Sequence, residues 1–204
     1  MTEGKSGDNP TARTAGARDR LLSAAAEAFA DRGFHGTTTR DIAGAAGMSP
    51  AAVYVHFPSK EELLYQLMHD GHVQTLEVMD DADLPDAPAP QRLASVMSAF
   101  ARYHALEHTG ARVVNYELAS LSAEHAVVVS ALRREVTARL RDIVDAGVAE
   151  GEFRTPDSRT CTEALLSMGV DIARWYRDGV YISPDELADF YAQLALRCVG
   201  RDLE

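Results

Sequence analysis

The chain has 204 residues, 46% hydrophobic and 25% charged, the balance of an ordinary globular protein rather than a disordered or fibrous one. No apolar run approaches the roughly 18 residues that cross a bilayer, and MTEGKSGDNPTARTAGARDR lacks the apolar core of a signal peptide, so a cytoplasmic protein is expected. A formal net charge of −11 argues against a nucleic-acid partner until its distribution is read: Lys and Arg number 7 against 8 Asp and Glu through Tyr65, but 13 against 23 beyond it. An acidic body behind a near-neutral head would orient the chain on DNA with its N-terminal end leading.

Residues 1–16 mix Gly, Ser, Thr, Asn and Pro and are expected to form a disordered arm, with Lys5 and Arg13 available to a minor groove. From Ala17 to Arg32, Leu22, Ala25, Ala26 and Phe29 recur at helical spacing and predict a first helix that stops at Gly33. A second helix opens at Thr38 or Thr39, whose hydroxyls cap free N–H groups while Asp41 suits the positive end of the dipole. It runs to about Ala46, and Gly47 and Met48 turn the chain. Ser49 caps a third helix with Pro50 in its first position, and Pro58 ends it near His56. Ser59 and Glu62 form a capping box for a fourth helix, which begins at Lys60 and continues for some five turns. Ile42, Ala43, Ala46, Met48 and Val53 supply the small and apolar contacts that let two short helices cross closely.

Beyond Asp81, ADLPDAPAP reads as a linker. Helical segments follow at PQRLASVMSAFARYHALEH, TGARVVNYELASL, a long run from Ser122 with Val128, Leu132, Val136, Leu140, Ile143 and Val144 as its stripe, PDSRTCTEALLSMGVDIARWYRDG, and PDELADFYAQLALRCVG behind a Ser183–Glu186 capping box. Strand alternation is absent, so the fold class is all-α: a three-helix helix-turn-helix domain at 17–64 and a helical ligand-binding and dimerisation domain at 65–204, about nine helices in all. No phosphate loop, HExxH or nucleophile elbow occurs, so neither a cofactor nor catalysis is expected. His69 and His72 with Glu77, Asp80 and Asp81 raise the alternative of an all-α metal-binding enzyme tethered to DNA, set against a solvated helix face. Cys161 and Cys198 are too few for a disulfide framework and read as buried thiols.

In a helix-turn-helix the second helix of the motif enters the major groove. Here that helix is built of small residues. Ala51, Ala52 and Val55 offer apolar contact to thymine methyls, Ser49 can bond to a phosphate or base, and Pro50 opens the helix beside them. The run Arg18 to Leu64, with TTTRDIAGAAGMSPAAVYVHFPSKEELL at its centre, resembles the DNA-binding domain of the TetR family of bacterial transcriptional regulators. The resemblance implies DNA contacts by Thr38, Thr39 and Arg40 at the start of the second helix, by Tyr54 and His56 near the end of the third, and by Lys60. Since the recognition helix has no Arg, Asn or Gln, bidentate base reading falls mainly to Arg40 or the arm, supplemented by DNA shape.

One short reading head implies a homodimer on a palindromic operator. The resemblance implies that the last two helices form the dimer surface, here through Leu165, Ile172, Tyr176, Leu187, Phe190, Tyr191 and Leu194. An effector pocket is expected among Met97, Phe100, Tyr103, His104, Asn115, Tyr116, Leu140 and Met168, with His104 and Asn115 as its polar members. The tail ALLSMGVDIARWYRDGVYISPDELADFYAQLAL is similar to that of actinobacterial TetR-type regulators of fatty-acid and steroid catabolism. That similarity implies an acyl-CoA effector, with Arg174 and Arg177 on the phosphates and Trp175 on the adenine. The expected function is thus a repressor released from its operator by a small hydrophobic effector, an acyl-CoA thioester or another hydrophobic or aromatic ligand.

Overall fold

Residues 10–200 are described by the computed structural model, with side chains from Gly16 onward. The described residues are helical throughout, with no strand: α1 (Pro10–Gly36), α2 (Thr39–Ala45), α3 (Pro50–His56), α4 (Lys60–Ala82), α5 (Ala89–Leu106), α6 (His108–Tyr116), α7 (Ala123–Ala149), α8 (Ser158–Trp175) and α9 (Pro184–Cys198), with one 3₁₀ turn at Leu118–Ser120. Of the expected arm, residues 1–9, Lys5 among them, lie outside the described residues, whereas α1 starts at Pro10, seven residues before Ala17. The pyrrolidine ring is preorganised for a first helical position and gives up no N–H there, so Pro10 suits that start. The helix breaks at Gly33, whose φ of 72° lies where a side chain would strain the backbone.

Local signals set the other helix starts. Thr38 caps α2, its hydroxyl accepting the Asp41 N–H while the Asp41 carboxylate accepts the Thr38 N–H. Ser183 and Glu186 form the same reciprocal pair at α9, whereas Ser49 and Ser59 cap α3 and α4 through one bond each, accepting the Ala52 and Glu62 N–H, so of the box expected at Ser59 and Glu62 one half is formed. Helix α8 stops at Trp175, short of Gly179, because Tyr176 turns to an extended ψ of 139°.

The small head packs α1–α3 around Leu21, Ala25, Phe29, Ile42, Val53 and Phe57. Its core does not close on itself. Leu63, Leu64 and Met68 of α4 complete it, and Val113 of α6 and Val129 of α7 join from the other domain. The stripe expected on α7 is displaced by one residue at its start: Val129 is fully buried and Val128 is 38% exposed, since α7 meets the head there rather than its own domain. A second core holds Met79, Leu93, Met97, Phe100, Leu140 and Leu165, and a third joins Ala101, Ile172, Tyr176, Leu187 and Tyr191. At Gly169 a Cβ would stand 2.6 Å from the Phe100 ring, so glycine is what lets α8 approach α5 there. Cys161 is half-buried and Cys198 exposed, correcting the expectation of two buried thiols.

Candidate functional site

Thr38, Thr39, Arg40, Pro50 and Tyr54 surround one surface groove of about 410 Å³. The α2 start and the α3 start and middle meet there because the Gly47 turn, φ 67°, folds α3 back across α2. The Thr39 and Tyr54 hydroxyls lie 3.3 Å apart, which orients the tyrosine along the groove. Tyr54 is 55% and Val55 80% exposed, and Ser49, Ala51 and Arg40 are exposed beside them while Ala52 and His56 are half-buried. Apolar and aromatic side chains held outward on a short helix, whose inner Val53 is fully buried, form a surface shaped for something outside the chain. Arg40 carries no ion-pair partner among the described residues, so its guanidinium is available to an anion or a base edge.

Lys60 is placed differently from its neighbours. Its ammonium donates to the carbonyls of Phe34 and Thr37, both at 2.7 Å, and lies 4.2 Å from the Phe34 ring centroid. It therefore ties α4 to the end of α1 and to the α2 approach, and keeps at most one N–H for an outside acceptor. From the other side, the Phe34 N–H donates to the Glu117 carboxylate, 3.2 Å away beyond α6. One residue further along α4, Glu61 accepts the Ser122 N–H at 2.8 Å and lies 2.9 Å from His125 Nδ1, whose ring stacks on Tyr65 at 3.8 Å. Burial would raise the Glu61 pKa, but the Ser122 and His125 hydrogen bonds outweigh it and hold the carboxyl below its ordinary value. The N-terminal end of α4 is thus bonded to α1 and α7 together.

In the body a half-open cavity of about 180 Å³ lies among α4–α8, its mouth at the exposed Glu163 and Ser167. Three of the expected effector residues, Phe100, His104 and Asn115, line it. His72, Thr75, Arg133 and Thr137 line it as well, and none was expected there. His72 had been grouped with His69, Glu77, Asp80 and Asp81 as a metal set, but it is 4% exposed and faces inward, whereas Asp80 pairs with Arg139 at 2.8 Å. His69 and His72 lie only about 60° apart around the helix axis, but His69 is half-exposed and 3.1 Å from Asp70 whereas His72 is buried. Among the described residues the closest grouping of metal-type donors is instead Glu61, Glu62 and His125, whose bonds to one another and to Ser122 hold the domain junction.

Both cavity histidines are held neutral. Burial, then the charges of Arg133, His104 and His69, lowers the His72 pKa to about 4, and burial, opposed by a hydrogen bond to the Phe100 carbonyl, lowers that of His104 to about 4. His104 Nδ1 lies 2.9 Å from that carbonyl, which makes Nδ1 the donor and leaves Nε2 as an acceptor. His72 Nε2 has no hydrogen-bond partner.

Other expected effector residues go elsewhere. Met97 and Leu140 are 1% and 0% exposed and do not line the cavity, because both are used up in the second core. Met168 packs between the second and third cores, its carbonyl accepting the Tyr191 hydroxyl. Tyr103 lines a groove between α1, α4 and α6. Tyr116, Arg174 and Arg177 gather with Arg112, which the sequence had not singled out, in a separate groove of about 470 Å³ against Phe29 and Gly33 of α1. Burial and the nearby Arg177 charge lower the Arg112 pKa. Arg174 lies 5.3 Å over the Tyr116 ring and 3.5 Å from Asp171. Trp175, 38% exposed, does not line that groove and sits edge-on to Tyr176.

The expected dimer residues divide as well. Leu165, Ile172, Tyr176, Leu187 and Tyr191 are between 0% and 9% exposed within one chain and serve its own cores, which corrects their assignment to an interface. Phe190, 54% exposed, and the half-buried Leu194 remain at the surface, with Trp175 and the 93% exposed Tyr181.

A three-helix head with an outward-facing short helix, locked through its fourth helix to a cavity-bearing helical body, defines a helix-turn-helix regulator. Residues 21–67 match the family described as bacterial regulatory proteins, tetR family, and residues 86–199 match the tetracyclin repressor-like C-terminal domain. The chain belongs to the tetR family. It is 32% identical over 199 residues to the HTH-type transcriptional repressor KstR2 of Mycolicibacterium smegmatis, covering 93% of each chain. Among solved structures, a bacterial regulatory protein in the tetR family from Rhodococcus RHA1 matches at 41% identity with a TM-score of 0.87, over 92% of this chain and 98% of that one. AibR, solved in complex with isovaleryl coenzyme A and operator DNA, shares the fold at 23% identity and a TM-score of 0.80, over 87% and 97%. No helix of the described residues is long and apolar enough to cross a membrane.

Proposed function

We propose that the chain is a transcriptional repressor that binds a palindromic operator as a homodimer and is released by an acyl-CoA effector. The observation that carries the reading is the continuity of α4. Its first turn holds the head through Lys60, and its fourth and fifth turns supply His72 and Thr75 to the cavity. A ligand that favours one position of α4 also favours one position of the reading helix, and a coupling of about 1–3 kcal/mol gives a 5- to 150-fold change in operator affinity.

The groove of Thr38, Thr39, Arg40, Pro50 and Tyr54 is the proposed DNA contact, with Arg40 reaching base edges or phosphate. Phe190, Leu194, Trp175 and Tyr181 are the side chains left for a second copy. The class of effector rests on the Arg112, Arg174 and Arg177 groove, where clustered guanidinium groups suit the phosphates of coenzyme A. Relatives named as repressors agree with this direction of regulation. Titrating acyl-CoA thioesters of graded chain length into the protein–operator complex at constant ionic strength is the test. Release by one or more is the expected result, and no release by any removes the acyl-CoA class.

A further inference from the structure

The cavity makes a demand that an unsubstituted acyl chain does not meet. His72 is 96% buried and lines the cavity, and no protein group bonds to its Nε2. A buried polar nitrogen left unpaired is costly, and an apolar occupant would keep it unpaired. The same cavity presents the Arg133 guanidinium, which has no ion-pair partner among the described residues, and the Asn115 amide, whose Nδ2 donates one of its two N–H groups to the Ala111 carbonyl. Phe100, Val136, Leu166 and Val170 line the same cavity, and so does the carboxylate of Glu163. The lining is therefore part apolar and part hydrogen-bonding, with one cationic and one anionic side chain. A cavity of about 180 Å³ holds on the order of six to eight non-hydrogen atoms, on the scale of a 150 Å³ cavity that takes one benzene.

We propose that the buried end of the effector is short and carries an acceptor oxygen, a ketone or a carboxylate, which takes a hydrogen bond from His72 Nε2 and faces Arg133. The neutral ring places its one proton on Nε2 when such an oxygen arrives, and Arg133 favours the negative end of the ligand's dipole or charge. The inference rests on the effector reading above, which supplies the rest of the ligand. It adds that the acyl group is recognised by its oxygen and not by its length.

The test has two arms. In the first, hexanoyl-CoA, 5-oxohexanoyl-CoA, adipoyl-CoA and palmitoyl-CoA are titrated into the protein–operator complex, followed by fluorescence anisotropy. An oxygen-bearing thioester should release DNA at a concentration about tenfold or more below hexanoyl-CoA, one hydrogen bond's worth of selectivity. His72→Phe should abolish that preference, and His72→Gln should restore part of it. Melting curves of the free variants verify that each is folded. In the second arm, 5-oxohexanoate, adipate and hexanoate are compared as free acids by thermal shift.

Equal potency of hexanoyl-CoA and its oxygenated partners, or release by palmitoyl-CoA alone, overturns the inference and leaves the acyl-CoA reading intact. Silence of every thioester together with His72-dependent stabilisation by an oxygenated acid overturns the acyl-CoA reading and keeps the cavity assignment. Silence in both arms overturns both.

Discussion

The reading groove and the cavity are both built from polar side chains on helices, yet an unpaired group means something different in each. Arg40 stands in water, where a free guanidinium is already solvated at no cost to the fold. His72 is buried in a cavity wall it shares with Phe100 and Leu166, where a free nitrogen has given up water and received nothing. Exposure makes the first group available, whereas burial makes the second informative. Helix α4 joins the two environments, with Lys60 at one end and His72 along its length.

The contrast is open to attack at several points. The largest expected effect is on the cavity wall: Phe100→Ala removes a ring that is 1% exposed and packed on Gly169, and should cost about 3–5 kcal/mol of unfolding free energy by urea denaturation. The same denaturation repeated across pH addresses the histidines. Their folded pKa of about 4 lies below the ordinary 6.5. Between those values the unfolded chain binds protons that the folded chain does not. Their contribution is therefore complete above pH 6.5, falls as pH drops through the window, and levels off below pH 4, by up to about 3 kcal/mol for each. A His72→Phe, His104→Phe double variant should flatten that slope, and a slope unchanged in the variant would show that burial is not what holds these rings neutral.

On the head, Arg40→Ala should weaken operator binding by about 1–3 kcal/mol at fixed salt, with the melting temperature unchanged. Loss of stability without loss of affinity would move Arg40 from the reading surface to the fold. The smallest effect is expected for Thr38→Ala. It deletes the α2 cap and should lower stability by about 1 kcal/mol, measured as a shift in denaturation midpoint.

How much of this was legible in the chain differs between the same two regions. The head is local. Caps at Thr38, Ser49 and Ser59, the proline at position 50 and the turn at Gly47 act within four residues of themselves, so α2, α3 and the start of α4 stand where their residues place them. Arg40, Pro50 and Tyr54 share a groove for the same reason. The start of α1 is the exception, since an arm rich in Gly, Ser and Thr carries no strong stop signal between Pro10 and Ala17.

The cavity is not local. Helical spacing marks Met97, Phe100 and Leu140 alike as apolar and cannot tell which faces a void and which faces another helix. Nor does spacing separate Ile172 and Leu187, used up in the chain's own third core, from Phe190, left outside it. Lys60 fits a phosphate contact by position, but the nearby Phe34 and Thr37 carbonyls are brought to it only by the break at Gly33.

By itself, then, the sequence determined the helices, their caps and the reading head, because those follow from periodicity and from hydrogen bonds between near neighbours. The tertiary structure alone decided that His72 turns inward to a cavity with Arg133, and that Arg112 joins Arg174 and Arg177. Each of these groupings is made by helices distant in the chain, whose relative rotation is set by packing the cores against one another.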